Sequence, residues 1–290
     1  MANFDGMIKM WILLPAVLLL FSGCEPCKVD LPSPEFHEQF LFISHTYIPD
    51  PNQNLIDSTV MRIDFERFDK VMLGGDLFRS TTTDTATFLR ADSIFDFRAD
   101  KTFWAIGNHD YDHPDMVRNY LGRELFFSSY HNGITFLVLD TQDSACSIVN
   151  DQLNLVQNVT DTLQASTCLM VICHKLIFMP GNPLLEPMID SVCNGDFGTC
   201  SWCTSPNNFY QDVYPKLVQV RERGIKVLVV AGDVGNKVKH FEYLSPEGIQ
   251  YIASGMNAAV TNNEVLRMEY SSSTGVPEWN FFPLTALPQH

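Results

Sequence analysis

Residues 102–112, TFWAIGNHDYD, set the strongest constraint on what this chain can become: an apolar run of strand-forming residues stops abruptly in Gly107-Asn108-His109-Asp110. Such a junction predicts a buried strand that delivers a loop at its carboxyl end, where open α/β sheets place their chemistry. The pattern recurs. Val71-Met72-Leu73 runs into Gly74-Gly75-Asp76, residues 169–173 end at His174, and residues 227–231 end at Gly232-Asp233. Asp76, Asn108, His174 and Asp233 thus stand at strand ends, and oxygen donors combined with imidazole suit Zn, Mn or Fe. A single Asp or Asn after a strand is commonly a turn or helix-capping residue. Several in register along one chain argue for a shared site.

The segments between these ends alternate. Residues 40–44 read as a first strand ending in His45-Thr46-Tyr47, residues 53–66 as a helix, residues 70–73 as a strand and residues 85–97 as a second helix. Strand and helix in alternation predict an α/β chain with parallel βαβ units. Residues 126–127 and 134–139, joined through Asn132-Gly133, predict a hairpin, because Asn-Gly supplies the positive-φ residues of a tight turn. Leu153, Val156, Val159 and Leu163 share one face of an amphipathic helix. A helix over 209–223, closed by Gly224, precedes the strand that ends at Asp233, and short strands are expected around 251–253, 266–270 and 279–282. Residues 175–208 are rich in Pro, Gly and Cys and hold no sustained period, so they are expected to form a substrate-selecting lid. Lys175, which opens that segment, reads as a solvated lysine, and His113 and His131 read as surface residues.

With 46% hydrophobic residues in a length of 290, the chain can bury one sizeable core, assigned to residues 38–290. A formal net charge of −15 argues against a nucleic-acid polymer as partner. It leaves a phosphorylated substrate open, since bound metal ions can hold phosphate oxygens in place of Lys and Arg. At the N-terminus Lys9, an apolar run over 11–21 and Ser22-Gly23-Cys24 resemble a bacterial lipoprotein signal. That resemblance implies removal of residues 1–23, a lipid on Cys24, a tether over 24–37 and a lipid-anchored place in the cell envelope. Eight cysteines in an exported chain predict disulfide bonding, with Cys193, Cys200 and Cys203 clustered. Zinc is the lesser alternative for that cluster, and Cys146, Cys168 and Cys173 are expected to be buried thiols.

Taken in order, Gly75-Asp76, Gly107-Asn108-His109-Asp110, Val171-Ile172-Cys173-His174 and Ala231-Gly232-Asp233 resemble the calcineurin-like metallophosphoesterase superfamily over most of residues 38–255. The resemblance implies an α/β/β/α sandwich of two sheets flanked by helices, with two metals at the strand ends. It implies that Asp76 bridges the metals and that Asn108 and His174 bind the second. It also implies attack on phosphorus by metal-bound hydroxide, with His109 protonating the leaving oxygen and Asp110 orienting its ring.

Two departures from the family pattern stand out. The family opens with Asp-x-His where this chain has His45-Thr46-Tyr47, and closes with Gly-His-x-His where it has Gly232-Asp233-Val234-Gly235. His45 and Asp233 then read as exchanged ligands, and the last histidine has no replacement. The expected metal set is His45, Asp76, Asn108, His174 and Asp233, holding one or two of Mn, Fe or Zn. Tyr47, Asp50 and His240 are candidate substitutes at the first metal.

The resulting expectation is an exported, metal-dependent hydrolase of phosphoric monoesters or diesters, acting on a phosphorylated small molecule or on an envelope glycan or lipid headgroup. The alternative is a surface-anchored binding or scaffold protein on the same fold, its metal site partly eroded.

Overall fold

In the computed structural model the described residues are 35–50, 53–202, 204–257, 260 and 262–290. The expected signal at 1–23, Cys24, most of the expected tether and Cys203 lie outside them. In chain order the strands are β1 (His37–Ile43), β2 (Lys70–Leu73), β3 (Thr102–Trp104), β4 (Phe127–His131), β5 (Ile134–Val138) and β6 (Cys168–Cys173). They continue with β7 (Lys226–Ala231), β8 (His240–Leu244), β9 (Ile249–Ser254), β10 (Glu264–Ser271) and β11 (Glu278–Pro283). The α-helices are α1 (Thr85–Phe95), α2 (Pro114–Leu121), α3 (Asn150–Thr162), the single turn α4 (Ile189–Val192) and α5 (Tyr214–Glu222).

The strands form two sheets, ordered β11-β10-β1-β2-β3 and β4-β5-β6-β7-β9-β8. β1, β2 and β3 are parallel in the first, and β5, β6, β7 and β9 are parallel in the second. Antiparallel β11 and β10 flank the first sheet on one side, and antiparallel β4 and β8 are the edges of the second.

Side-chain alternation explains the layers. Phe40, Phe42, Met72 and Phe103 point between the sheets and meet Phe136, Val138, Met170, Ile172 and Leu228. Their neighbours Leu41, Ile43, Val71, Leu73 and Trp104 point the other way, packing with Phe88, Ala91 and Phe95 of α1 and Val117 of α2. On the far side Leu169, Val171, Val227 and Val229 pack with Val156 and Val159 of α3 and Leu217 and Val220 of α5. The architecture is therefore the expected α/β/β/α sandwich. Each fully buried aliphatic or aromatic side chain contributes about 1.5–3 kcal/mol. A one-residue slip would exchange every inter-sheet residue for a helix-facing one, so register is firmly set.

The expected helix over 53–66 does not form. Ile56, Val60 and Ile63 are buried as helical spacing demands, but by an irregular path. Ile56 bridges Tyr47, Ile63 bridges Gln289, a 3₁₀ turn at Val60–Arg62 lies between Ile56 and Ile63, and a second, Phe65–Arg67, follows. Three apolar anchors at helical intervals can thus be met by neighbouring chain instead of by a helix. Besides the single turn α4, two elements were not anticipated, α2 and β8. The first has Pro114 in its first turn and closes at Gly122, φ 65°. The second alternates half-buried and exposed residues at a sheet edge.

The segment 175–208 is only partly a surface loop. Leu176, Ile177, Phe178 and Met179 belong to the core under β6 and β7, and Cys200 is disulfide-bonded to Cys146, Cα–Cα 5.8 Å. Cys146 is therefore not the buried thiol expected of it. Cys168 and Cys173 are, and burial pushes both thiols up to about 12.

Candidate metal centre

Parallel β1 and β2 of one sheet and β6 and β7 of the other release their chains into one cluster of side chains. Immediately after β1 the backbone turns through His45 with φ 56°, and after β2 through Asp76 with φ 57°. Such left-handed conformations cost non-glycine residues about 1–3 kcal/mol and concentrate at functional sites. The Ser44 hydroxyl lies 3.1 Å from the carbonyls of Gly74 and Gly75 and 2.9 Å from that of Gly232, tying the ends of β1, β2 and β7 together. Packing is so close that a Cβ on Gly107 would stand 2.1 Å from Asp76 Oδ1. Glycine there lets the loop after β3 approach the carboxylate.

His174 Nδ1 lies 2.6 Å from the Gly74 carbonyl. A carbonyl can only accept, so Nδ1 carries the proton and Nε2 turns a lone pair inward. That lone pair meets Asn108 Oδ1 at 3.2 Å, Asp76 Oδ1 at 3.5 Å and Asp233 Oδ1 at 3.8 Å. His45 Nε2 faces Asp76 Oδ2 at 2.9 Å and Asp233 Oδ1 at 3.6 Å. Asp76 Oδ2 and Asp233 Oδ1 are buried and have no well-directed hydrogen bond. Donor atoms of His45, Asp76, His174 and Asp233, all buried, lie within 4.8 Å of one another. Four donors around an ion with bonds of ~2.1 Å stand roughly 3.4 Å apart, so little contraction is needed. Lone pairs facing lone pairs at the end of two sheets make a hole for a cation, and two imidazoles with two carboxylates fit Zn, Mn or Fe.

The cluster draws positive charge toward His45 Nε2, which a proton and a metal ion would compete to supply. Burial disfavours charge on His45, but Asp76 and Asp233 outweigh it and raise its pKa to about 9. On His174 burial prevails, aided by Lys175 and His45, and the imidazole titrates below its ordinary value. Burial also resists ionisation of Asp76, yet His174 and His45 hold its carboxyl well below the usual range. Asp233 is likewise opposed by burial and held low by Lys175, His174 and His45.

The remaining expected residues are placed differently from one another. Asn108 sits beside the cluster, but its Oδ1 accepts from Lys175 Nζ at 2.6 Å. His109 is half-buried, its amide donating to Asp76 Oδ1 at 3.0 Å and its ring Nδ1 donating to the Arg79 carbonyl at 2.6 Å. The ring-orienting contact that the resemblance gives to Asp110 is thus made by Arg79. Asp110 is a buttress instead: Oδ2 accepts from the amides of Asp76 at 2.7 Å and Gly107 at 2.9 Å, and Oδ1 from that of Leu77 at 3.1 Å and from the Thr81 hydroxyl. Burial, with the charge of Asp76, raises its pKa to about 6.

Of the substitutes, Tyr47 lies beside the cluster, its ring 5.2 Å from that of His45 and 4.7 Å from that of His109. Burial and the charges of Asp76 and Asp233 hold its hydroxyl protonated, against a tyrosinate ligand. Asp50 accepts from Gln53 at 2.9 Å, and His240 pairs with Glu264 at 3.1 Å while stacking on Phe281. His131, expected at the surface, pairs with Glu38 at 2.8 Å.

Two residues escaped sequence reasoning. Lys175 is fully buried, with Nζ 2.8 Å from Asp233 Oδ2. Asn194, from the long segment 175–208, brings Nδ2 to 2.7 Å from His45 Nε2. Its amide orientation is set by Asn236, whose N–H reaches Oδ1 at 2.8 Å, and by the Val234 carbonyl, 3.1 Å from Nδ2. The only sequence signal for either was position, Lys175 next to a ligand and Asn194 next to Cys193.

No protein-family model matches the sequence, and no curated protein matches it. Among solved structures, the chain is similar to a dimetal phosphatase of Danio rerio at 14% identity and a TM-score of 0.47, covering 85% of this chain and 99% of that one. It is similar to a 5'-nucleotidase precursor of Thermus thermophilus at 12% identity and a TM-score of 0.45, covering 88% of this chain but only 56% of that one. A third likeness is to Vacuolar Protein Sorting 29 of Cryptosporidium parvum, 9% identical with a TM-score of 0.38, covering 85% and 97% of the two chains.

Proposed function

We propose that this chain is a metal-dependent hydrolase of phosphoric esters, related to the calcineurin-like metallophosphoesterases. The observation that carries the reading is the buried cluster of His45, Asp76, His174 and Asp233 with its unpartnered carboxylate oxygens. A metal in that cluster would be held by those four residues and would supply Lewis acidity, lowering the pKa of a bound water from about 15.7 to about 7. Asp76 joins the cluster to the catalytic loop, since its Oδ1 takes the His109 amide at 3.0 Å. His109 keeps Nδ1–H on the Arg79 carbonyl, so it is as an imidazolium, protonated at Nε2 as well, that it gives a proton to the leaving oxygen and returns to the neutral Nδ1–H form. Asn194 holds His45 and links the segment 175–208 to the centre, which supports a role for that segment in substrate selection.

Substrates in keeping with the N-terminal signal at residues 11–24 are phosphorylated small molecules or glycan and lipid headgroups of the cell envelope, with the chain anchored through Cys24. The test is turnover of p-nitrophenyl phosphate and bis(p-nitrophenyl) phosphate by the metal-loaded protein, beside His109→Ala. Activity that falls in the variant with its metal retained supports the reading. A metal-loaded chain that turns over neither ester class supports the second reading, a binding or scaffold protein. That reading is favoured by one contact: Lys175 already engages Asn108, which the resemblance assigns to a second metal.

A further inference from the structure

We propose that Lys175 is a resident cation standing in for a second metal ion, so that the chain is built around one metal and one ammonium instead of two metals. The inference rests on the metal-centre reading above.

Lys175 follows His174 at the end of β6, and both side chains are fully buried. Lysine is almost never fully buried unless its charge is paired. Here Nζ is placed between two oxygens, Asn108 Oδ1 at 2.6 Å and Asp233 Oδ2 at 2.8 Å. The backbone fixes it there, because the Lys175 amide donates to the Thr141 hydroxyl at 3.0 Å and its carbonyl accepts from Ile177 at 2.8 Å.

Asp233 is thereby split: Oδ2 serves the lysine, while Oδ1 stays unpartnered beside the two imidazoles. Asn108 has a single side-chain oxygen, and it is engaged. A second ion sharing Asn108 and Asp233 would have to occupy the space around Nζ and endure its charge at bonding distance. Charge balance points the same way. The donor set contains two carboxylates, Asp76 and Asp233. One dication neutralises both, and the lysine offsets the buried carboxylate of Asp110 behind Asp76, so a second dication would leave the centre with excess charge.

Lys175 is a positioning residue, not a catalytic one, because it touches ligands and is closed off from substrate. Metal content decides the matter. The full chain is loaded separately with excess Mn²⁺ and Zn²⁺, desalted and assayed by elemental analysis, together with Lys175→Met and Asn108→Ala. The expected result is about one metal per wild-type chain and about two for Lys175→Met, whose apolar side chain releases Asn108 and Asp233. Asn108→Ala is expected to keep about one, which also serves if Lys175→Met does not fold. Two metals in the wild-type chain, one in folded Lys175→Met, or loss of the metal in Asn108→Ala would overturn the inference and leave the metal centre standing. Absence of metal from every form would instead overturn the centre itself.

Discussion

Asp110 Oδ2 lies 2.7 Å from the backbone nitrogen of Asp76, so one carboxylate fixes the conformation of another from behind. The same group gathers the amides of Gly107 and Leu77. Asp110→Asn replaces an acceptor oxygen by an NH₂ that faces N–H groups, leaving buried donors unsatisfied. A loss of about 1–3 kcal/mol is expected in urea unfolding, with reduced metal content because Asp76 is no longer held at its left-handed φ. Unchanged stability and metal content would remove the buttress role.

His109→Ala leaves the four buried donors in place. Turnover is expected to fall by roughly 10²–10⁴-fold with metal content preserved, whereas Asp76→Ala should abolish both. Parallel activity and elemental assays separate the two, and full activity in His109→Ala would sink the assignment of the proton donor.

Asn194→Ala removes the amide that reaches His45 Nε2. One ring nitrogen has one lone pair, so this N–H competes with an ion for Nε2, and a rise in affinity is expected in calorimetric titration with Mn²⁺ or Zn²⁺. A fall in affinity would show instead that the amide's chief effect is to hold the ring in place for the ion.

Cys146→Ser opens the bond to Cys200 across a sequence separation of 54 residues. Stability should fall by about 2–4 kcal/mol. Limited proteolysis should move its first cuts into residues 175–208, and first cuts elsewhere would contradict the idea that the disulfide pins this segment.

The centre was legible in the sequence as far as it lies at strand ends. β2, β6 and β7 are buried on both faces, so their sequences read as unbroken apolar runs with abrupt polar stops, and Asp76, His174 and Asp233 follow directly. His45 was reachable only through its place after β1. What was not legible depends on distant chain. Lys175 reads as a solvated lysine until β3 and β7 bring Asn108 and Asp233 around it. Asn194 lies in a stretch without period, and its approach to His45 is set by tertiary packing. The spacing of Ile56, Val60 and Ile63 fits a helix, yet Tyr47 and Gln289 supply partners that no local pattern encodes. The Cys146–Cys200 pairing is invisible for the same reason, since connectivity needs three-dimensional proximity.

The four donors come in pairs from opposite sheets: His45 and Asp76 follow β1 and β2, while His174 and Asp233 follow β6 and β7. An ion gripped by all four is a rivet through the seam of the sandwich. Anything that binds only the folded form stabilises it, by about 2.7 kcal/mol at a hundredfold excess over the dissociation constant. Stripping with a chelator should therefore lower the melting temperature by roughly 5–10 °C, reversibly on metal return. Supply of the ion would then govern how long each molecule survives proteolysis, and a compartment starved of metal would hold fewer copies of this protein, not merely idle ones.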